Sequence, residues 1–160
     1  MQPLCTVAQM RDAEAQLIAS GVSSAQLIAR AGAAIAQRIM AQFPGITRVL
    51  ICAGPGNNGA DGLEVACVLA QHGYHVHVHL WRRHADAWLA RVEALHIPVT
   101  TTTSAPLLTA AFAHTDIVVD ALLGIGANRP LDADGVALVT ALNARPVALP
   151  CVAIDVPTGC

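Results

Sequence analysis

Three short stretches of this chain carry residues that could do chemistry together: Gly54-Pro55-Gly56-Asn57-Asn58-Gly59-Ala60-Asp61-Gly62, Asp120-Ala121-Leu122-Leu123-Gly124-Ile125-Gly126-Ala127-Asn128-Arg129-Pro130, and Asp155-Val156-Pro157-Thr158-Gly159. In the first, an apolar strand breaks into glycines, which allow the backbone to come close to a ligand. A helical pattern then starts near Asp61, and a helix start offers unpaired N–H groups and the positive end of its dipole. Strand, bare loop and helix start together make a socket for an anionic group such as a phosphate. Asn57 and Asn58 add side-chain amides and carbonyls that a bare phosphate cradle does not need.

Asp120 ends an apolar strand, where a charge is expensive unless it is paired or coordinated. Arg129 supplies a planar fork suited to phosphate or carboxylate. In the third stretch Asp155 falls within a strand end behind Val152, Ala153 and Ile154. A carboxylate so placed needs a raised pKa or a partner, which makes it a candidate acid/base group. Pro157 and Gly159 fix a tight turn that presents the Thr158 hydroxyl. Asp is also a common turn residue, so a purely structural role stays open for both carboxylates. Asn58, Asp120 and Thr158 form a set of hard oxygen donors, suited to an alkali or alkaline-earth cation rather than zinc or copper. Spacing alone selects no ion.

Other constellations are weaker. Gly54-x-Gly56-x-x-Gly59 matches the dinucleotide fingerprint, but no acidic residue closes the second strand to hold a ribose. Arg82 and Arg83 stand there instead and would suit a 2′-phosphate, so an NADP-dependent oxidoreductase remains an alternative, as does a non-catalytic nucleotide-binding module. The chain has no lysine, which excludes Schiff-base chemistry and the phosphate loop that depends on one. His75, His77 and His79 alternate along one strand face and are expected to line its solvent-leaning side rather than bind metal. The five cysteines show no C-x-x-C spacing, which argues against structural zinc or a disulfide framework. Trp81 and Trp88 are expected to be packing residues.

The elements that must position these loops follow from hydrophobic period. Helices are expected over 8–20, 24–42, 61–72, 84–95, 105–113 and 135–144, and strands over 49–53, 75–81, 98–102, 116–121 and 151–156. Strands interleaved with helices imply a mostly parallel, doubly wound sheet: a three-layer α/β/α Rossmann-like fold. In such sheets ligands bind outside the carboxyl ends of the strands, so the three loops are expected to gather at one edge. At 160 residues, with 54% apolar and 12% charged residues, the chain fits one globular domain. A net charge of −2 with scattered arginines argues against nucleic acid as the main partner. No apolar run of about 18 residues suggests a membrane span. Without a secretory pattern at the start, a cytoplasmic location is the expectation.

The three stretches, in this order, resemble the NAD(P)H-hydrate epimerase family of the YjeF N-terminal-domain type. Its signature pieces look like Gly-Pro-Gly-Asn-Asn-Gly-Gly-Asp-Gly, Asp-Ala-Leu-Phe-Gly-Thr-Gly with an Arg-Pro soon after, and Asp-Ile-Pro-Ser-Gly. The opening segment from Thr6 to Gly32 is similar to the family's N-terminal helices. The resemblance implies an isomerase that interconverts the R and S epimers of hydrated NADH or NADPH. It would work with an ADP/ATP-dependent dehydratase, fused or separate, and a homodimer is compatible with it. It implies a potassium ion held by Asn58, Asp120 and Thr158. It implies substrate contacts from Asn57, Asn58, Gly59, Ala60 and Asp61, from Gly124, Ile125, Gly126, Ala127, Asn128, Arg129 and Pro130, and from Asp155. Ala60 stands for a glycine, adding a methyl where backbone could approach the ligand; Ile125 stands for a threonine, and Thr158 for a serine. Because the family domain continues for further elements, residues 1–160 are expected to be a single domain incomplete at its C-terminus.

Overall fold

Alternate residues of a strand point to opposite faces of its sheet, and in the central strands of this chain both sets are apolar. Such strands must be covered on both sides. The computed structural model, which describes residues 6–101, 104–127 and 129–159, shows this arrangement. Its elements run α1 (Val7–Ala19), α2 (Ser24–Gln42), β1 (Arg48–Ala53), α3 (Asn57–Gln71), β2 (His75–Leu80), α4 (Ala87–Ala94), β3 (Val99–Thr101), α5 (Ala105–Ala111), β4 (Ile117–Ala121), α6 (Ala133–Asn143) and β5 (Cys151–Ala153). The five strands are all parallel, in the order β3-β2-β1-β4-β5.

Val49, Ile51 and Ala53 of β1 join Val76 and Val78 of β2 and Ile117 and Val119 of β4 under α2, α3 and α4. Leu50 and Cys52 of β1 and Val118 of β4 face the other way, onto Leu108, Phe112, Leu138 and Leu142 from α5, the 3-10 turn after it, and α6. Trp81 packs in this second core, and Trp88 packs against the first. On the β2 face, His75 is exposed and His77 bonds to Thr100 Oγ1 at 2.7 Å. His79, expected to lean to solvent, is instead buried.

Capping chemistry sets the helix starts. Thr6 with Gln9 and Ser23 with Gln26 form reciprocal capping boxes at α1 and α2. Unlike the others, α1 buries no residue and leaves Val7, Met10, Leu17 and Ile18 exposed.

Two boundaries differ from expectation in ways that matter for the site. Helix α3 begins at Asn57, not near Asp61, with Gly56 as its N-cap. Pro55 ends the strand, and the backbone turns straight into the helix, so both asparagines lie in its first turn. Strand β5 ends at Ala153, not 156, because Asp155 takes a left-handed φ of 69° and Pro157 offers no N–H to a ladder. Asp155 is therefore an exposed loop residue rather than a strand-end one. Thr102 of the expected third strand, Asn128, Cys5 and Cys160 lie outside the described residues.

Candidate active site

The sheet order reverses direction between β1 and β4, whose connections leave to opposite faces, and it is outside the carboxyl ends at such a switch point that open parallel sheets bind ligands. The β1–α3, β4–α6 and post-β5 loops all start at this edge. Backbone contact joins the first two: the Gly54 amide donates to the Ala121 carbonyl at 3.0 Å. A Cβ on Gly54 would run into the Leu122 carbonyl, so only glycine fits there.

Asp120 joins the second loop to the third. Its Oδ1 accepts from the Leu122 amide at 3.1 Å and from the Thr158 hydroxyl at 2.8 Å; its Oδ2 accepts from the Thr158 amide at 2.8 Å. The Thr158 hydroxyl oxygen in turn accepts from the Leu123 amide at 3.1 Å. Both Asp120 and Thr158 are buried. A buried carboxylate with three donors is a satisfied one. Asp155 makes a second tie, its Oδ2 accepting from the Ile125 amide at 2.6 Å. The partner that a carboxylate at this position needs is thus a backbone N–H.

Asn58 closes the triangle. A Cβ on Gly124 would lie 2.5 Å from Asp155 Oδ2 and 3.3 Å from Asn58 Cγ, which puts one residue from each loop around a single glycine. Neither the Oδ1 nor the Nδ2 of Asn58, both buried, has a hydrogen-bond partner among the described residues. An orphaned amide oxygen packed against Gly124, one residue on from the Leu123 amide that bonds Thr158, is a hard donor of the kind a cation needs. Gly56 caps α3 without a side-chain bond, leaving the first-turn amides for an anion.

The other expected contact residues take different positions. Asn57 is exposed at the mouth, and Gly126, Ala127, Arg129 and Pro130 are exposed along the rim of the second loop. Ile125 is half-buried, and its carbonyl accepts from Arg11 of α1 at 3.3 Å, so α1 borders the same rim. Gly59 is buried in the first turn of α3. Ala60 is also buried, at 2% exposure, so its extra methyl belongs to the packed part of α3 rather than the open cleft. Two hollows of about 580 and 500 Å³ lie elsewhere, at the amino-terminal edge of the sheet and over β2 and β3. Neither is lined by residues of the three loops.

Sequence reasoning placed Asp61 among the contact residues but missed its proton affinity. Burial first, then the nearby charges of Glu14 and Asp155, push its carboxyl up to about 7. No local pattern could show this, because Glu14 reaches it from α1 and Asp155 from the loop after β5. The consequence is a pH dependence of stability. A carboxyl that keeps its proton in the folded chain, but not in the unfolded one, stabilises the fold most at low pH. That contribution is fully present below the unfolded value of 3.8 and is lost as pH rises from there through about 7. Asp61→Asn is therefore expected to melt above the parent chain at pH 8 and to approach it only below the unfolded value of 3.8, checked by scanning calorimetry. Equal melting curves at pH 8 would refute the assignment.

The two arginines reserved for a 2′-phosphate are engaged elsewhere. Arg82 pairs with Asp132 and, at 3.5 Å, with Asp134 at the start of α6, and lies 5.5 Å from the Trp81 ring. Arg83 points inward and is buried against the first loop. Among the described residues no helix is long and apolar enough to cross a membrane, and no three His, Cys, Asp or Glu residues group as a metal site.

Comparison with known proteins shows the family and the fold. Residues 24–160 match the family described as YjeF-related protein N-terminus. An NAD(P)H-hydrate epimerase of Achromobacter xylosoxidans is 39% identical over 99% of this chain and 74% of its own length. One from Rhodobacter capsulatus is 37% identical over 99% of this chain and 78% of its own. The bifunctional NAD(P)H-hydrate repair enzyme Nnr of Synechocystis is 34% identical over 96% of this chain, which spans only 29% of that longer protein. The crystal structure of yeast ynu0 superposes with a TM-score of 0.89 at 26% identity, covering 99% of this chain and 72% of the yeast chain.

Proposed function

This chain belongs to the family of YjeF-related protein N-termini, and from that membership and the three-loop cleft we infer that it is an NAD(P)H-hydrate epimerase, interconverting the R and S epimers of hydrated NADH and NADPH. The observation that carries the reading is the meeting of Asn58, Gly124 and Asp155 at one point, beside the Asp120–Thr158 tie. Residues from three motifs far apart in the chain thus meet at the carboxyl edge of the sheet, which supports this reading.

Inverting the hydrated carbon requires a bond at that carbon to break and reform, with a proton leaving and another returning. Asp155 is exposed to the cleft and held in place by the Ile125 amide, so it can exchange that proton as general acid/base. The first-turn amides of α3, with Asn57 and Asn58, receive the diphosphate. The 124–130 loop, with Arg129 and Pro130 at its rim, flanks the nicotinamide. Asn58, Asp120 and Thr158 fit a potassium ion. When bound, it would supply a positive charge that holds the three loops together and favours the anionic substrate. The longer relatives named as bifunctional repair enzymes suggest that a dehydratase, fused or separate, consumes one epimer. A cytoplasmic location and a homodimer fit this role.

The test is chromatographic: the ratio of the two hydrate epimers is followed from an unequal start, in potassium buffer and in buffer free of monovalent metal ions. Equilibration in potassium, slowed in its absence, is the expected result. Hydride transfer to a second substrate would favour the oxidoreductase alternative, and tight nucleotide binding without turnover the binding module.

A further inference from the structure

Arg83 is an expensive residue where it stands. Its side chain is only 4% exposed, and a buried guanidinium loses hydration that hydrogen bonds must replace. Its Nε, also buried, has no partner among the described residues. An apolar side chain of similar length would fill the space without these costs. The position of its remaining donors accounts for a charge being there.

Nη1 donates to the Gly54 carbonyl at 2.8 Å and to the Gly56 carbonyl at 3.0 Å. These carbonyls flank Pro55 at the turn from β1 into α3. Nη2 donates to Asp86 at 2.6 Å, and the other oxygen of Asp86 accepts from the Trp88 and Leu89 amides at the start of α4. The guanidinium thus ties the glycine turn to a separate helix through a carboxylate fixed at both ends. The chain turns inward at Arg82, whose left-handed φ of 53° is unusual for a side chain of this size. The ion pairs of Arg82 with Asp132 and Asp134 hold that bend.

We propose that Arg83 is a positioning residue for the diphosphate of the substrate: from behind the β1–α3 turn it holds the Gly54 and Gly56 carbonyls, so that the Asn57 amide and those after it in the first turn of α3 stay directed at the ligand. Peptide groups are planar, so fixing where the Gly56 carbonyl points also fixes the Asn57 N–H on the other side of the same bond, whereas the Gly54 carbonyl precedes Pro55, which has no N–H, and its bond holds the path of the turn. Its charge is paired with Asp86, so the guanidinium acts through the turn rather than by touching the ligand. This rests on the epimerase reading of the cleft.

The experiment compares Arg83→Met, Arg83→Lys and Asp86→Asn with the parent chain, measuring melting temperature, kcat and KM for epimerisation, and the Kd of ADP-ribose, a fragment that carries the diphosphate but no reacting ring. In Arg83→Met the expected result is a rise in KM and in the ADP-ribose Kd of about tenfold or more, with kcat within about threefold. A lysine cannot reproduce the fork, so Arg83→Lys should show a smaller shift in the same direction. Asp86→Asn, which does not touch the turn, should show a shift of a few fold. A folded Arg83→Met with unchanged KM and Kd, or with reduced kcat at unchanged KM, overturns the proposal. Should that variant fail to fold, unchanged KM and Kd in both Arg83→Lys and Asp86→Asn overturn it instead, and raised values at the parent melting temperature uphold it. A parent chain that binds ADP-ribose but does not epimerise would sink the epimerase reading alone; weaker ADP-ribose binding by the variants would still uphold the role of Arg83.

Discussion

Asp155→Asn is expected to slow epimer interconversion by about 10²- to 10⁴-fold, the usual worth of a positioned acid/base group, while leaving the melting temperature nearly unchanged. The choice of asparagine follows from the backbone. Residue 155 has a φ of 69°, a region that Asp and Asn tolerate better than most residues, and the amide oxygen can still accept from the Ile125 N–H. Asp155→Ala removes the same proton carrier but adds about 1 kcal/mol or more of backbone strain. It should also free the Ile125 amide, so some of its loss would come from loop movement. A rate for Asp155→Asn within a few fold of the parent, read as the approach of the R:S ratio to equilibrium, would rule out this carboxylate as the proton carrier. Asp61, held near neutrality in its affinity for a proton, would be the next group to test.

Asp120→Ala should lose both stability and activity. The substitution leaves the Leu122 and Thr158 amides and the Thr158 hydroxyl without their common acceptor in a buried place. At about 1–3 kcal/mol for each buried group left unsatisfied, a net loss of roughly 2–4 kcal/mol is expected, after some relaxation or entry of water. The third loop should then loosen against the second, kept there by the Thr158–Leu123 and Asp155–Ile125 bonds alone, with an expected fall in turnover of about 10²-fold or more, since small misplacements of reacting groups are costly. Asp120→Asn separates the two roles. It keeps the volume and one acceptor but removes the charge, so the potassium response should weaken more than the melting temperature falls. Unchanged activation by potassium in a folded Asp120→Asn would make Asp120 a structural tie only.

Much of this was legible in the sequence. Val49-Leu50-Ile51 and Ile117-Val118-Val119 mark strands because parallel, doubly covered strands must be apolar on both faces, and Val76 and Val78 mark a third by alternation with histidines. The three loops stood out because glycines, asparagines and aspartates at strand ends serve neither packing nor ladder pairing. The expectation that they gather at one edge follows from parallel topology, and the Asp120–Thr158 and Asp155–Ile125 bonds bear it out. The start of α3 was misplaced by four residues because asparagine and glycine are poor helix formers. In the fold, the Gly56 cap and packing of α3 on the sheet override that preference. The end of β5 was misplaced because alternation alone does not register a left-handed residue.

By itself the sequence determined the order of elements, the layered class, the residue types at the cleft and membership of a family. Each of these is written in local pattern: the period of apolar positions, the breakers between them, and short motifs. The tertiary structure alone decided what those residues do to one another. It turned Arg83, a candidate 2′-phosphate ligand, into a buried brace behind the first loop, and left Arg82 paired with the start of α6. It moved Asp155 from a strand end to an exposed loop, and raised the proton affinity of Asp61 through neighbours from α1 and from the loop after β5. The physical reason is that burial, hydrogen-bond partnership and electrostatic potential are set by atoms close in space, and here those atoms belong to residues far apart along the chain.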